Sequence, residues 1–237
     1  MKRIRYFRLA FLFATIIAQA SWAGPGGGVL CQISTITALK VGVYDGNTTF
    51  GELKKHGDMG LGTLNGLDGE MVALGGEFLR VAVDGKVFPI QDSEQTPFAV
   101  VTMFQAEKKV PLKGIPNATE LYQTLDHQLA NLDGVYAVKI EGIFKHLRVR
   151  SVAGQNKPYP GLEEALKNEV VFDLKDVAGT LVGFRFPDYM GGVNVPGYHF
   201  HFIGQDRKSG GHLLDCVLEK AEGEIAVIST LDLRLPE

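Results

Sequence analysis

The run Met71-Val72-Ala73-Leu74-Gly75-Gly76-Glu77-Phe78-Leu79-Arg80-Val81-Ala82-Val83-Asp84-Gly85-Lys86-Val87-Phe88-Pro89-Ile90 decides the fold class. Phe78, Arg80 and Ala82 alternate with Leu79, Val81 and Val83, and a period of two is the signature of a strand. Gly75-Gly76 and Asp84-Gly85 flank that segment and supply the positive φ angles that two-residue hairpins need. The run therefore predicts a β-meander from Met71 to Ile90.

Outward from the meander, the chain from Gln32 reads mostly as strands and turns. One helix is expected after Asn117 to Thr119, whose short polar side chains can cap free N–H groups, with Leu121, Leu125 and Leu129 as its apolar stripe and His127 on the solvated face. Val135 to Ile140 and Ile143 to Val152 read as a hairpin turning at Glu141-Gly142. In its second strand Ile143, Leu147 and Val149 point one way, and Phe144, His146, Arg148 and Arg150 the other. A short helix from Gly161 to Asn168 buries Leu162, Ala165 and Leu166. Strands at Gly179 to Phe186, Tyr198 to Phe202 and His212 to Leu218 precede a last alternating run, Ile225, Val227, Leu231 and Leu233. No internal repeat and no linker divides the chain. The expectation is one β-rich α+β body with mixed and antiparallel sheets and a few short helices, residues 32–237 forming a domain of two adjoining sheet subdomains.

The N-terminus differs in composition. Lys2, Arg3, Arg5 and Arg8 form a basic head, Leu9 to Ala20 an apolar core, and Ser21-Trp22-Ala23 a small-residue cleavage site. Residues 1–23 thus read as a signal peptide, since a bilayer span needs ~20 apolar residues, and the chain is expected to be exported to a periplasmic or extracellular location. Residues 24–31, rich in Gly and Pro, read as a flexible leader. Removing residues 1–23, with four basic and no acidic side chains, leaves 20 basic against 27 acidic groups, a charge of −7. That balance excludes nucleic acid and an anionic membrane surface as expected partners, because both need concentrated positive charge. Cys31 and Cys216 alone exclude a disulfide framework and leave either a single bridge or two small buried hydrophobes.

Three of the six histidines fall within fourteen residues, in Gly197-Tyr198-His199-Phe200-His201-Phe202 and Gly210-Gly211-His212. His199 and His201 share one face of a strand, and the Gly-, Asp- and Ser-rich Ile203 to Gly211 returns the chain so that His212 joins them from the neighbouring strand. Three neutral imidazoles on one rigid surface are the ligand set of a catalytic divalent metal with an open position. A similar H-x-H and distant His occurs in cupin-type barrels, but these want a Glu three or four residues after the second His, where this chain has Gln205 and Asp206. His56 and His146 read as hydrogen-bonded structural residues.

Beyond these readings lies a resemblance. Gly60-Leu61-Gly62-Thr63-Leu64-Asn65-Gly66-Leu67-Asp68-Gly69-Glu70, then Thr96-Pro97-Phe98-Ala99, then Gly197 to Phe202 and Ser209-Gly210-Gly211-His212 resemble the acetolactate decarboxylases, in order and spacing, from about Gln32 to Pro236. The resemblance implies that His199, His201 and His212 hold Zn²⁺ or another divalent transition metal, that Glu70 reaches the same metal, and that Arg150 faces the substrate. Strand parity leaves Arg148 and Arg150 equivalent; the family's spacing selects Arg150. It also implies a homodimer, no organic cofactor, and 2-acetolactate as substrate. Family chains generally continue past Leu233-Arg234-Leu235-Pro236 into a tail whose acidic side chain returns to the metal. This sequence stops at Glu237, so Glu237, the terminal carboxylate or a water takes that place, or catalysis is weakened.

The chemistry suits such a site. Loss of CO₂ from acetolactate leaves an enediolate whose charge must be held, and a Lewis-acidic metal does so. Arg150 is a permanently charged fork for the carboxylate or the developing charge, and Glu70 is the more reasonable proton handler. The rival expectations are a cupin-like metal oxygenase or isomerase, and a non-catalytic module that binds metal or a small acid.

Overall fold

The computed structural model describes residues 28–236. The expected signal peptide, residues 24–27 of the expected leader and Glu237 lie outside the described residues. Along the chain follow β1 (Gly28–Ile33), α1 (Ile36–Lys40), β2 (Thr48–Thr49), α2 (Phe50–Leu53), β3 (Met59–Thr63), β4 (Glu70–Leu74), β5 (Glu77–Val81), β6 (Val87–Pro89), β7 (Gln95–Thr96), β8 (Ala99–Thr102), β9 (Lys108–Ile115), α3 (Ala118–Asp126), β10 (Val135–Ser151), α4 (Leu162–Leu166), β11 (Val170–Phe186), β12 (Gly197–Gly204) and β13 (Gly210–Arg234). This is the β-rich α+β class that the alternation predicts. The meander is present as β4, β5 and β6, turning at Gly75-Gly76 and around Asp84-Gly85.

Eleven strands form one hydrogen-bonded sheet in the order β10-β11-β12-β13-β1-β8-β3-β4-β5-β6, with β9 added to β13. Because β10 also pairs with β13, strands β10 to β13 close on themselves. The joint between the two groups of strands is β1, parallel to β13 on one side and antiparallel to β8 on the other. Gly28 to Cys31 are therefore strand and not flexible leader, correcting the reading of residues 24–31 at these four positions. Local glycine content argued for a mobile arm, whereas Leu30 and Cys31, each 1% exposed, carry core packing that outweighs it.

A second correction concerns Glu141-Gly142. β10 runs unbroken through these residues, paired with β11 at Gly142↔Gly179 and with β13 at Gly142↔Ala221. Gly142 serves close approach, not a turn: a Cβ there would lie 2.3 Å from the Lys220 carbonyl oxygen and 2.4 Å from the Ala221 Cβ. Gly142→Ala is expected to destabilise the fold by about 3 kcal/mol, the scale of overpacking against backbone, read as a drop in the urea midpoint. A turn glycine at positive φ would lose only about 1 kcal/mol.

The helices follow the apolar pattern in part: α3 ends at Asp126, so Leu129 lies beyond it, and Leu162 and Leu166 of α4 are half-buried. Asn117 caps α3 by accepting from Glu120 N at 2.8 Å, and Leu121 and Leu125 are fully buried beneath it among Phe144, Leu147 and Leu218. Both Gly161 and Pro160 precede α4, which buries Ala165. Cys31 and Cys216 are separate free thiols in different clusters of the core.

Candidate metal centre

His199 and His201 project from the same side of β12, and the hairpin into β13 sets His212 directly opposite His201. Gly211, at φ +138° near the start of β13, permits this: a Cβ there would lie 2.5 Å from the Arg150 carbonyl oxygen, so its lack of a side chain lets β13 pass against β10. Arg150 in turn stands opposite His212. The cross-strand row Arg150, His212, His201 is thus written in the register of three strands. Strict alternation fails on β10 between Ile143 and His146, so Phe144 is buried with Leu147 and Val149 while Ile143 is 48% exposed, which corrects the expected facing of those residues. From Leu147 to Ser151 β10 pairs regularly with β11, so Arg148 and Arg150 point to the same side, but Arg148 is exposed whereas the Arg150 side chain is only 13% exposed beside Glu70 and Glu169.

Glu70 arrives from the other half of the chain. It opens β4, paired with Thr63 on β3 and Val81 on β5, and is 7% exposed. Its Oε2 lies 3.3 Å from His201 Nε2 and its Oε1 lies 3.3 Å from Arg150 Nη1. Met71, the next residue, accepts a hydrogen bond at 2.8 Å from His201 Nδ1. That bond fixes the proton on Nδ1 and leaves the Nε2 lone pair facing inward.

The inward nitrogens are close together. His212 Nδ1 is 3.2 Å from His199 Nε2 and 3.3 Å from His201 Nε2. Tetrahedral ligands bonded at ~2.0–2.1 Å to zinc stand ~3.3 Å apart, so these separations match the edges of such a polyhedron. Burial drives all three imidazoles towards the neutral form: His201 falls to about 3, with His199 and His212 also held well below their ordinary value. The Arg150 charge adds to that in each case, and neighbouring imidazoles add to it in His199 and His212. Burial raises the Glu70 carboxyl to about 7 against the opposing pull of Arg150. His201 Nε2 and Glu70 Oε2 are both acceptors once Glu70 ionises, and a cation between them removes that repulsion. The donor set fits a divalent transition metal on these grounds.

These shifts predict how the metal-free protein responds to pH. The three histidines have folded values below the unfolded 6.5, so their stability contribution is complete above 6.5 and is lost as pH falls. Glu70, raised from 4.5 to about 7, works in the opposite sense between those values. Three histidines outweigh one carboxyl, so the metal-free protein is expected to lose stability as pH falls below 6.5. Denaturant titration of chelator-treated protein across that range is the measurement; a flat profile contradicts the assignment.

Cys31, His56 and Asp232 also bring ligand atoms within 4.8 Å of one another. There, however, Arg234 donates to His56 Nε2 at 2.7 Å and approaches Asp232 at 3.9 Å, so the protein supplies its own cation. His56 is a hydrogen-bonded structural residue, as its sequence suggested, and His146 is another, 2.8 Å from Asp173. Gln205 and Asp206, at the cupin position, lie on an exposed turn where Asp206 accepts from Lys208 N.

The sequence model of the family described as alpha-acetolactate decarboxylase matches residues 30–237. The chain belongs to the alpha-acetolactate decarboxylase family. Among alpha-acetolactate decarboxylases, that of Methanosarcina mazei is 46% identical over 208 residues, covering 88% of this chain and 72% of the relative. The Methylococcus capsulatus one is 46% identical over 206 residues, covering 87% and 79%. The crystal structure of alpha-acetolactate decarboxylase from Bacillus subtilis strain 168 superimposes with a TM-score of 0.86 at 39% identity, covering 88% of this chain and 89% of that one. Family membership makes the chain a carboxy-lyase.

One neighbour of the site escaped the sequence. Glu169, just before β11, places its Oε2 3.2 Å from Arg150 Nε. A Glu after a short helix carries no local signal, and only the β10–β11 register reveals it.

Proposed function

We propose that the chain decarboxylates 2-acetolactate to acetoin at a divalent metal, zinc or a chemically similar ion, held by His199, His201, His212 and Glu70. The observation that carries this reading is the convergence of three deprotonated imidazoles with Glu70 and Arg150 at one partly buried point, in a chain of this family. When bound, the ion supplies Lewis-acid stabilisation of the charge left on the substrate as CO₂ departs, worth several kcal/mol.

The protein's own groups do the rest. Arg150 orients the substrate carboxylate and offers forked N–H donors to the charge that develops. Glu70 divides its oxygens, Oε2 towards the imidazoles and Oε1 towards Arg150. That division suits Oε2 to ligation and Oε1 to holding the proton that the carbon accepts once its bond to the carboxylate has broken. His201 keeps its ring fixed through Met71 O, so the ligand set does not depend on the ion for its orientation. Proton delivery from one side gives a single enantiomer of acetoin.

The test is to supply racemic acetolactate to the purified chain with and without a chelator, and to assay acetoin by chiral chromatography. One enantiomer, lost on chelation and restored by divalent ions, supports the reading. Racemic product overturns the geometry given to Glu70, and bound metal with no CO₂ release moves the chain to a binding role. The same reading carries an exported homodimer, supported by the leader composition of residues 1–23 and by the family resemblance.

A further inference from the structure

Arg150 lies between two carboxylates of different standing. Glu70 takes Nη1 at 3.3 Å and also faces His201, whereas Glu169 takes Nε at 3.2 Å and approaches no histidine of the centre among the described contacts. Residue Val171 pairs with Arg150 across β10 and β11, so Glu169, two positions earlier, is its diagonal neighbour on the same face. The Glu169 backbone is held there by a hydrogen bond from its N–H to Leu166 O at 3.1 Å, at the end of α4. The Arg150 side chain is 13% exposed and that of Glu169 28%.

We infer that Glu169 is a positioning residue for the decarboxylation: it holds Arg150 by Nε, so that the guanidinium edge faces the substrate and does not close onto Glu70. This rests on the function proposed above, in which Arg150 meets the substrate and Glu70 is needed by the metal and the proton. A guanidinium held at Nε has its plane set, with the remaining N–H groups left for ligand. Without that hold, Glu70 is the carboxylate left to Arg150, and its pairing competes with the imidazoles.

The experiment compares Glu169→Ala, Glu169→Gln, Arg150→Ala and the double variant Glu169→Ala/Arg150→Ala, each loaded with zinc, with metal content measured beside turnover of acetolactate. Glu169→Ala should keep its zinc and lose about tenfold in kcat through loss of this close ion pair, with KM changed far less. Glu169→Gln should recover part of that rate, since its amide oxygen keeps a polar atom facing Nε without the charge. In the Arg150→Ala background, removal of Glu169 should cost nothing further. A Glu169→Ala enzyme as fast as the unmodified chain overturns the inference, as does a defect of equal size in both backgrounds. An unmodified chain that makes no acetoin, or an Arg150→Ala variant with undiminished rate, overturns the underlying function instead.

Discussion

Replacing His199 with alanine is expected to strip the bound metal and to lower acetoin formation at least about a thousandfold, while the protein stays folded. The magnitude is that of several kcal/mol of lost charge stabilisation at the reacting atoms. His199 is the informative choice among the three histidines because its buried Nδ1 has no hydrogen-bond partner among the described residues. Its removal therefore costs no hydrogen bond to the backbone, only the 3.2 Å contact of its Nε2 with His212 Nδ1. His201→Ala, by contrast, leaves the Met71 carbonyl without its donor and mixes a folding cost into the result. Metal analysis after gel filtration, a thermal melt and the acetoin assay together read the outcome. Full metal content with full turnover in His199→Ala removes the site from its assigned place.

Arg150→Ala should give the complementary pattern: metal retained, and kcat/KM down about a hundredfold, the effect of deleting one preorganised charged donor. Arg150 contributes no ligand atom, so the three histidine ligands remain in place without it. Its loss also removes the charge that opposes the upward shift of Glu70, leaving that carboxyl more fully protonated at neutral pH. Arg150→Lys restores a charge but not the fork, and should recover only part of the rate. Measuring metal and rate on the same preparation separates the two roles, and a variant that loses metal yet keeps its rate per metal bound reverses them.

The three histidines were legible from their own spacing, because a strand's side-chain period is two and the segment between His201 and His212 is rich in turn residues. The cap at Asn117 and the Leu121 and Leu125 stripe were legible for the same kind of local reason. Glu70 was not. Its neighbours say only that it follows an Asp-Gly turn, and it meets His201 through packing of β4 against β12 across 131 positions of chain, so family resemblance alone pointed to it. Gly142 misled because a glycine that permits backbone contact and one that permits a turn are the same letter; what separates them is the presence of Lys220 and Ala221 on a strand nearly eighty positions away. Choosing Arg150 over Arg148 likewise needed the cover that Glu70 and Glu169 bring to one of them from elsewhere in the chain.

The pairing of β1 with β13 has a bearing on how the molecule is made. Val29 to Ile33 bond along Thr230 to Arg234, so the first strand to leave the ribosome waits for the last before its outer edge is satisfied. Such distant pairing is slow to form and leaves hydrogen-bonding groups open in the interim. During synthesis the growing polypeptide therefore has no centre to its sheet until both extremities are free to meet.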